Sequence, residues 1–534
     1  MRTFFSRALL LLVLLFGPIV IFLIVRQEMS VTMWLLPGAV LVWLLLFATW
    51  FLTFGKGRFL DRLGRVGIVT AIFLGIAILL SILLRYEGSA SGSSFPRFSW
   101  IWQERESSQE VTPGLIEKNI ASVSEELQAA AGESKDFLGP GRDGTWEKLP
   151  FDPDWNTNTP RQLWRRSVGK AWSSFAVAQD RAITQEQVGD AERVTCLDLF
   201  TGEEAWHHDN PGTRLLLVKE ENSGGAMGGD GPRSTPVIHG GRVYSIGATG
   251  IVNCLDLESG ELIWTRNVIA DFGGETQRWG IANAPLVLPE AGIVVVAGTD
   301  QMNTPGIGAG LVALDLESGA ERWVYTENGA SYSSPRILTL LGTKQIVSVN
   351  FEEVVGMVPE TGEVLWRHEW RGKFPKVAQP IQVGEDRVLV TASYGAGSPL
   401  IRLSRDGETW KTEELWKSNR MKTKFSSAVV MGDQAYGLDE GRLASIDLAT
   451  GDKVWKNQKF GFGQQLLFGD HLLVQTERGP VVTGRLDPEG FTETGRIEDA
   501  LDSMTWNVPA VAGRFLLVRN DREAACYLLP EPKS

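Results

Sequence analysis

The chain has 534 residues, a formal net charge of −12 and 43% hydrophobic residues. That length exceeds what one ordinary core accommodates, so more than one structural unit is expected. An acidic chain lacks the basic face of a nucleic-acid protein, which argues against a nucleic-acid partner.

Charge and hydropathy are unevenly spread. Residues 1–85 carry eight Lys and Arg against Glu28 and Asp61, which leaves residues 86–534 with a net −18. The first 85 residues also hold three charge-free apolar runs, 8–25, 31–54 and 66–84. Each is near the roughly 20 residues that cross a bilayer core. No small-x-small cleavage pattern follows the first run, which favours an anchor over a signal peptide. The loop 55–65 carries Lys56, Arg58, Arg62 and Arg65, whereas the first loop carries only Arg26, beside Glu28. Basic loops stay cytoplasmic. Residues 1–85 are therefore expected to be a three-helix, multi-pass transmembrane anchor in a bacterial inner membrane, with the lipid bilayer as first partner. Everything after Arg85 is expected on the periplasmic side. No ionisable residue lies inside the runs, which argues against transport through them.

Residues 86–136 read as a linker. Positions 87–94 are Gly- and Ser-rich, the composition of a flexible spacer. Phe95, Phe98, Trp100 and Trp102 follow, aromatics suited to a membrane interface. Pro113 and the apolar positions Leu115, Ile116, Ile120, Val123 and Leu127 predict a helix over 113–131.

Residues 137–534 repeat. One motif joins an Asp, a Ser or Thr, a Gly and a Trp at fixed spacing: Asp198, Gly202 and Trp206; Asp256, Gly260 and Trp264; Asp315, Gly319 and Trp323; Asp447, Gly451 and Trp455. Gly362 and Trp366 form a fifth copy, with Val358 in the Asp position. Weaker copies lie at Asp406 and Gly407, leading to Trp416, and at Asp487 and Gly490. The chemistry is that of a hairpin: the Gly takes positive φ, the Asp and Thr or Ser hydrogen-bond the turn, and the Trp packs between units. A second motif, a small or polar pair before an apolar strand, occurs eight times, with second residues Ser174, Thr235, Ala284, Ser334, Gln379, Ser427, Gln465 and Val508. Their intervals run from 38 to 61 residues. Four short strands in about 45 residues make a propeller blade. The expected fold is an all-β, eight-bladed propeller over 137–534, preceded by the three helices. Gln162–Val168 and Ala524–Leu529 each look like part of a blade that they complete together, which closes the ring without an exposed edge.

These repeats resemble the pyrroloquinoline-quinone-like (PQQ-like) β-propeller repeat family, and the Asp-to-Trp motif looks like that family's blade-docking motif. The segment 137–144, Phe-Leu-Gly-Pro-Gly-Arg-Asp-Gly, resembles the lead-in of related bacterial proteins. The three apolar runs are similar to a membrane-anchored subgroup. The resemblance implies either a binding and assembly scaffold or a quinoprotein alcohol dehydrogenase. The dehydrogenases use the quinone PQQ, a calcium ion, an Asp base and an adjacent Cys pair. Here Cys196, Cys254 and Cys526 are scattered, with no vicinal pair, and no c-type haem motif is present. No local motif locates a calcium set.

Other chemistry finds no foothold. His207 and His208 are neighbours on a strand and point to opposite faces. His239, His368 and His471 lack metal-ligand spacing. No catalytic or metal residue is assigned. One constellation stands out at the positions just before the inner strands, which line one mouth of a propeller channel: Lys170, Trp172, Arg233, Arg278, Trp279, Tyr332, Lys376, Lys424 and Trp506. Cations and aromatics on an acidic domain focus an anionic small molecule or an acidic peptide. The expected function is a non-catalytic binding or scaffold module with an envelope protein partner. The PQQ-dependent dehydrogenase is the alternative.

Overall fold

The computed structural model describes residues 29–54, 58–89, 96–103, 112–120, 122–215, 229–299, 308–372 and 375–533. They fall into two compact units, one ending at Ser108 and one formed mainly by the rest of the chain.

In the first unit, Met29–Phe54 and Phe59–Leu83 are helices. Among the described residues, Phe59–Leu83 alone is long and apolar enough to cross a membrane, and none of it is buried. The described apolar stretch of the other helix is the shorter Gly38–Phe54. The run at 8–25 lies outside the described residues, so one long apolar helix stands where three spans were expected. It begins at Phe59 and absorbs Asp61, Arg62 and Arg65, which the sequence placed in a loop. Strands stand on either side of the Gly- and Ser-rich stretch. Leu84–Ser89 and Pro96–Trp100 form an antiparallel hairpin. Arg85 holds it by donating to Ser99 Oγ at 3.3 Å and to the Gln103 carbonyl at 2.8 Å. Trp100 and Trp102 stack at 4.9 Å and are both exposed.

In the second unit the helix expected over 113–131 gives way. Gly114–Lys118 is a strand, and only Glu125–Ala130 is helical, capped by Ser124. Pairing of the strand with Arg161–Ser167 supplies backbone partners that an isolated, marginal helix cannot match.

The remaining strands form eight antiparallel sheets around a ring. Blades 1 to 7 occupy residues 176–210, 237–267, 286–325, 336–369, 381–418, 429–459 and 464–497. Blade 8 joins residues 510–528 to Arg161–Ser167, so both ends of the propeller sequence share one sheet, with Cys526 opposite Trp164. The strand Gly114–Lys118 then covers that blade's outer edge. Apolar side chains alternate between the faces of each blade, and neighbouring blades bury them together. Tyr244, Val252 and Trp264 of blade 2, for example, pack with Val294, Val312 and Leu314 of blade 3.

The motif turns lock each blade to the next. Asp256 Oδ1 accepts from the backbone of Glu258 and Ser259 at 3.0 and 2.8 Å, and Asp447 does the same for Ala449 and Thr450. The motif Gly takes positive φ, 73° at Gly260, and leaves room for the Trp of the preceding blade. Trp206 lies over Gly260 and donates to the Leu257 carbonyl at 3.0 Å. Trp164, Trp264, Trp323, Trp416 and Trp455 make the same kind of bond to Leu199, Leu316, Pro359, Leu448 and Pro488. Trp366 is the exception. Blade 5 turns through a tight hairpin at Gly407, and Trp366 Nε1 donates to Gln345 of its own blade, at 2.5 Å.

One end of the central channel is filled by the chain's own lead-in segment. Ser134 pairs with Val177 of blade 1, and the Lys135 carbonyl accepts from Ile238 of blade 2. Arg142 donates to the carbonyls of Ala284 and Pro285 in blade 3. Arg336 of blade 4 reaches the Gly141 carbonyl and Asp143. Thr145–Trp146 runs parallel to the inner strand of blade 7.

Candidate functional site

The opposite mouth is built from two kinds of segment. The stretches before the inner strands bring most of the residues singled out in the sequence. The hairpins between second and third strands bring residues that the sequence did not single out.

Two clusters result. In the first, Arg278 is exposed and lies 5.0 Å over the Trp279 ring, which meets Tyr332 edge-on at 5.6 Å. Tyr332 in turn meets Phe351 at 6.3 Å. Lys376 is fully buried next to them. Its ammonium donates to the carbonyls of Phe351 and of Trp370, the latter at 2.5 Å, and lies 4.7 Å over the Trp370 ring. Burial pushes its pKa down to about 8.

In the second cluster Lys424 is buried between the rings of Tyr394 and Phe462, at 4.7 and 4.4 Å. Burial lowers its pKa as well. Trp506 packs on Phe425 at 4.6 Å and on Trp172 at 5.0 Å, and donates to Glu477 at 3.1 Å. Glu440 comes from the blade 6 hairpin and accepts from Ser393 of the blade 5 hairpin.

Lys170 and Arg233 lie beside the segment 229–232, whose Pro232 carbonyl accepts from the Trp172 amide. Lys170 lies 3.6 Å from Asp230. Arg233 donates to the carbonyls of Gly229 and Gly231 at 2.7 Å, and burial pushes it down to about 10. Phe351, Trp370, Tyr394, Phe425, Phe462, Glu440 and Glu477 are the site residues that sequence reasoning missed. For the two acids a signal existed: Glu440 stands one residue and Glu477 two residues before a hairpin glycine, Gly441 and Gly479.

The quinone and calcium of the dehydrogenases do not fit these residues. A polycarboxylate needs several accessible cations, yet Lys376 and Lys424 are buried against carbonyls and rings, which leaves Arg278 as the exposed cation of the two clusters. Cys196, Cys254 and Cys526 are free and buried in three different blades. Among the described residues, no three His, Cys, Asp or Glu side chains are grouped to hold a metal.

An eight-bladed ring of this kind is a PQQ-like repeat propeller. The chain belongs to the family described as outer membrane protein assembly factor BamB, whose model matches residues 154–299 and 190–457. It is 24% identical over 268 residues to outer membrane protein assembly factor BamB of Shewanella oneidensis, spanning 46% of this chain and 63% of that protein. The Burkholderia pseudomallei protein of the same description is 24% identical over 277 residues, 44% of this chain and 71% of that one. The quinohemoprotein alcohol dehydrogenase of Comamonas testosteroni superposes with a TM-score of 0.51 at 12% identity, over 77% of this chain and 84% of that one. That likeness concerns the fold alone.

Proposed function

We propose that this chain is a non-catalytic propeller, tethered to a membrane on its extracytoplasmic side, that binds or scaffolds an envelope protein. The observation that carries this reading is the state of the mouth cations. Lys376 and Lys424 are engaged by the chain's own carbonyls and rings, so neither presents its charge to a quinone cofactor. The described relatives are named as outer membrane assembly factors, which supports a scaffold role by analogy.

The tether reading rests on the long apolar helix Phe59–Leu83, on the apolar runs at 8–25 and 31–54, and on the basic residues between the runs. The exposed pair Trp100 and Trp102 suits the membrane interface.

Titration of the detergent-solubilised full chain with pyrroloquinoline quinone and Ca²⁺ tests the non-catalytic reading. No shift in melting temperature is expected, and a saturable rise would restore the dehydrogenase. Photo-crosslinking from the outer blade edges in cells should trap a discrete envelope protein. Recovery of uncrosslinked chain alone would count against the scaffold.

A further inference from the structure

We infer that the mouth sector between blades 5 and 7 is a receptor for an alkylammonium group, occupied here by Lys424, and that its external ligand is a lysine side chain of a partner peptide. This deepens the binding-module reading and rests on it.

The geometry is that of an aromatic box. Tyr394 and Phe462 face one ammonium at 4.7 and 4.4 Å. Phe425 packs edge-on against Phe462 at 6.2 Å and lies 4.6 Å from Trp506. Ring faces attract ammonium groups and repel anions. The negative side is supplied by Glu440 and Glu477, both of which favour the charged form of Lys424. Glu477 is held in place by the Phe462 amide at 3.2 Å and the Trp506 indole at 3.1 Å. Glu440 gives one oxygen to Ser393, while its Oε2 is closed off from solvent and has no hydrogen-bond partner. A buried carboxylate oxygen in that state calls for a donor.

The sector thus has the opposite preference to the one its cations alone suggest. Lys424 does not present its charge outward; it fills a cation site. An incoming lysine is chemically equivalent to it, and burial already disfavours the charged resident.

The test uses the full chain in detergent with tetramethylammonium chloride as probe, compared with equal sodium chloride. Lys424→Ser is expected to melt lower than the natural chain and to recover, saturably, with tetramethylammonium only. Adding Glu440→Gln should weaken that response about tenfold. A Lys424→Ser protein that gains no more from tetramethylammonium than from sodium overturns the inference. If that variant does not fold, fluorine NMR of the fluorotryptophan-labelled natural chain decides, with Trp506 assigned through Trp506→Phe. A lysine tripeptide should move the Trp506 signal saturably, and an unmoved signal overturns the inference. Trapping of an envelope partner alongside a failed tetramethylammonium response would sink this site while leaving the scaffold reading intact.

Discussion

Arg142 donates to the Pro285 carbonyl at 2.7 Å, which fixes a loop preceding the first blade to the inner strand of the third. The same guanidinium pairs with Asp136. Burial raises the Asp136 pKa, and the Arg142 charge opposes that rise. Gly139 has φ 78° and no room for a Cβ, because Trp146 lies against it. The lead-in segment is therefore an integral part of the ring's interior.

Arg142→Ala should be costly for that reason. It removes a buried cation from Asp136 and leaves two carbonyls of blade 3 without their donor. Breaking a buried pair costs about 3–5 kcal/mol. Urea denaturation of the full chain reads the loss directly, and hydrogen exchange should rise at Leu467 and Gly469, whose amides donate to the Gly144 and Trp146 carbonyls of the lead-in segment. A loss under about 1 kcal/mol would mean that this segment docks without Arg142.

Gly260→Ala separates backbone strain from packing. At φ 73° any L-residue pays roughly 1–2 kcal/mol, and the new Cβ would stand 2.5 Å from the Trp206 ring. Gly240 is the control, with φ 58° and nothing within 4 Å. The prediction is a clearly larger loss at Gly260, by at least about 1 kcal/mol in chemical denaturation. Equal losses would remove the Trp contact as the reason for glycine in the motif.

The blades were legible because most repeat the same local chemistry: a turn glycine, a capping Asp, a Trp at fixed spacing. Trp366 looked like the others because its actual partner, Gln345, lies on the second strand of its own blade, outside the motif. The strand Gly114–Lys118 was hidden for a similar reason, since its partner Arg161–Ser167 lies more than forty residues away. The mouth was half legible. Position before an inner strand locates Lys376 and Lys424, but their burial depends on Trp370, Tyr394 and Phe462 from other segments. Charge was read as facing outward when the fold turns it inward.

The ring seam offers a contrast between buried and surface charge. Arg519 of blade 8 is fully buried and donates to Gln185 and Thr184 of blade 1 at 2.8 and 2.7 Å, and to the Gly169 carbonyl at 3.0 Å. Glu186 is buried next to it and favours its charged form. Arg519→Met should lose about 3–5 kcal/mol. Arg193 pairs with Asp209 on an outer strand at 2.6 Å in a more exposed setting, and Arg193→Met should lose at most about 1 kcal/mol. Urea midpoints of the two variants compare them. Similar losses would show that the seam does not depend on Arg519.

Lys376 makes stability depend on pH in a defined direction. Its pKa falls from 10.5 to about 8 on folding, because burial penalises the ammonium. Between those values the unfolded chain binds more protons than the folded one, so raising the pH stabilises the fold. Lys376→Met has no such group. The stability of the natural chain relative to this variant should therefore climb between about pH 8 and 10.5, by at most about 3 kcal/mol. Tyr244 and Tyr527, whose burial lifts them to about 12, pull the other way above pH 10, but both proteins share them and they cancel. A difference that stays flat would mean that the carbonyls of Phe351 and Trp370, with the Trp370 ring, compensate the burial in full. Lys376 would then be a neutral strut of the mouth with no effect on its pH response.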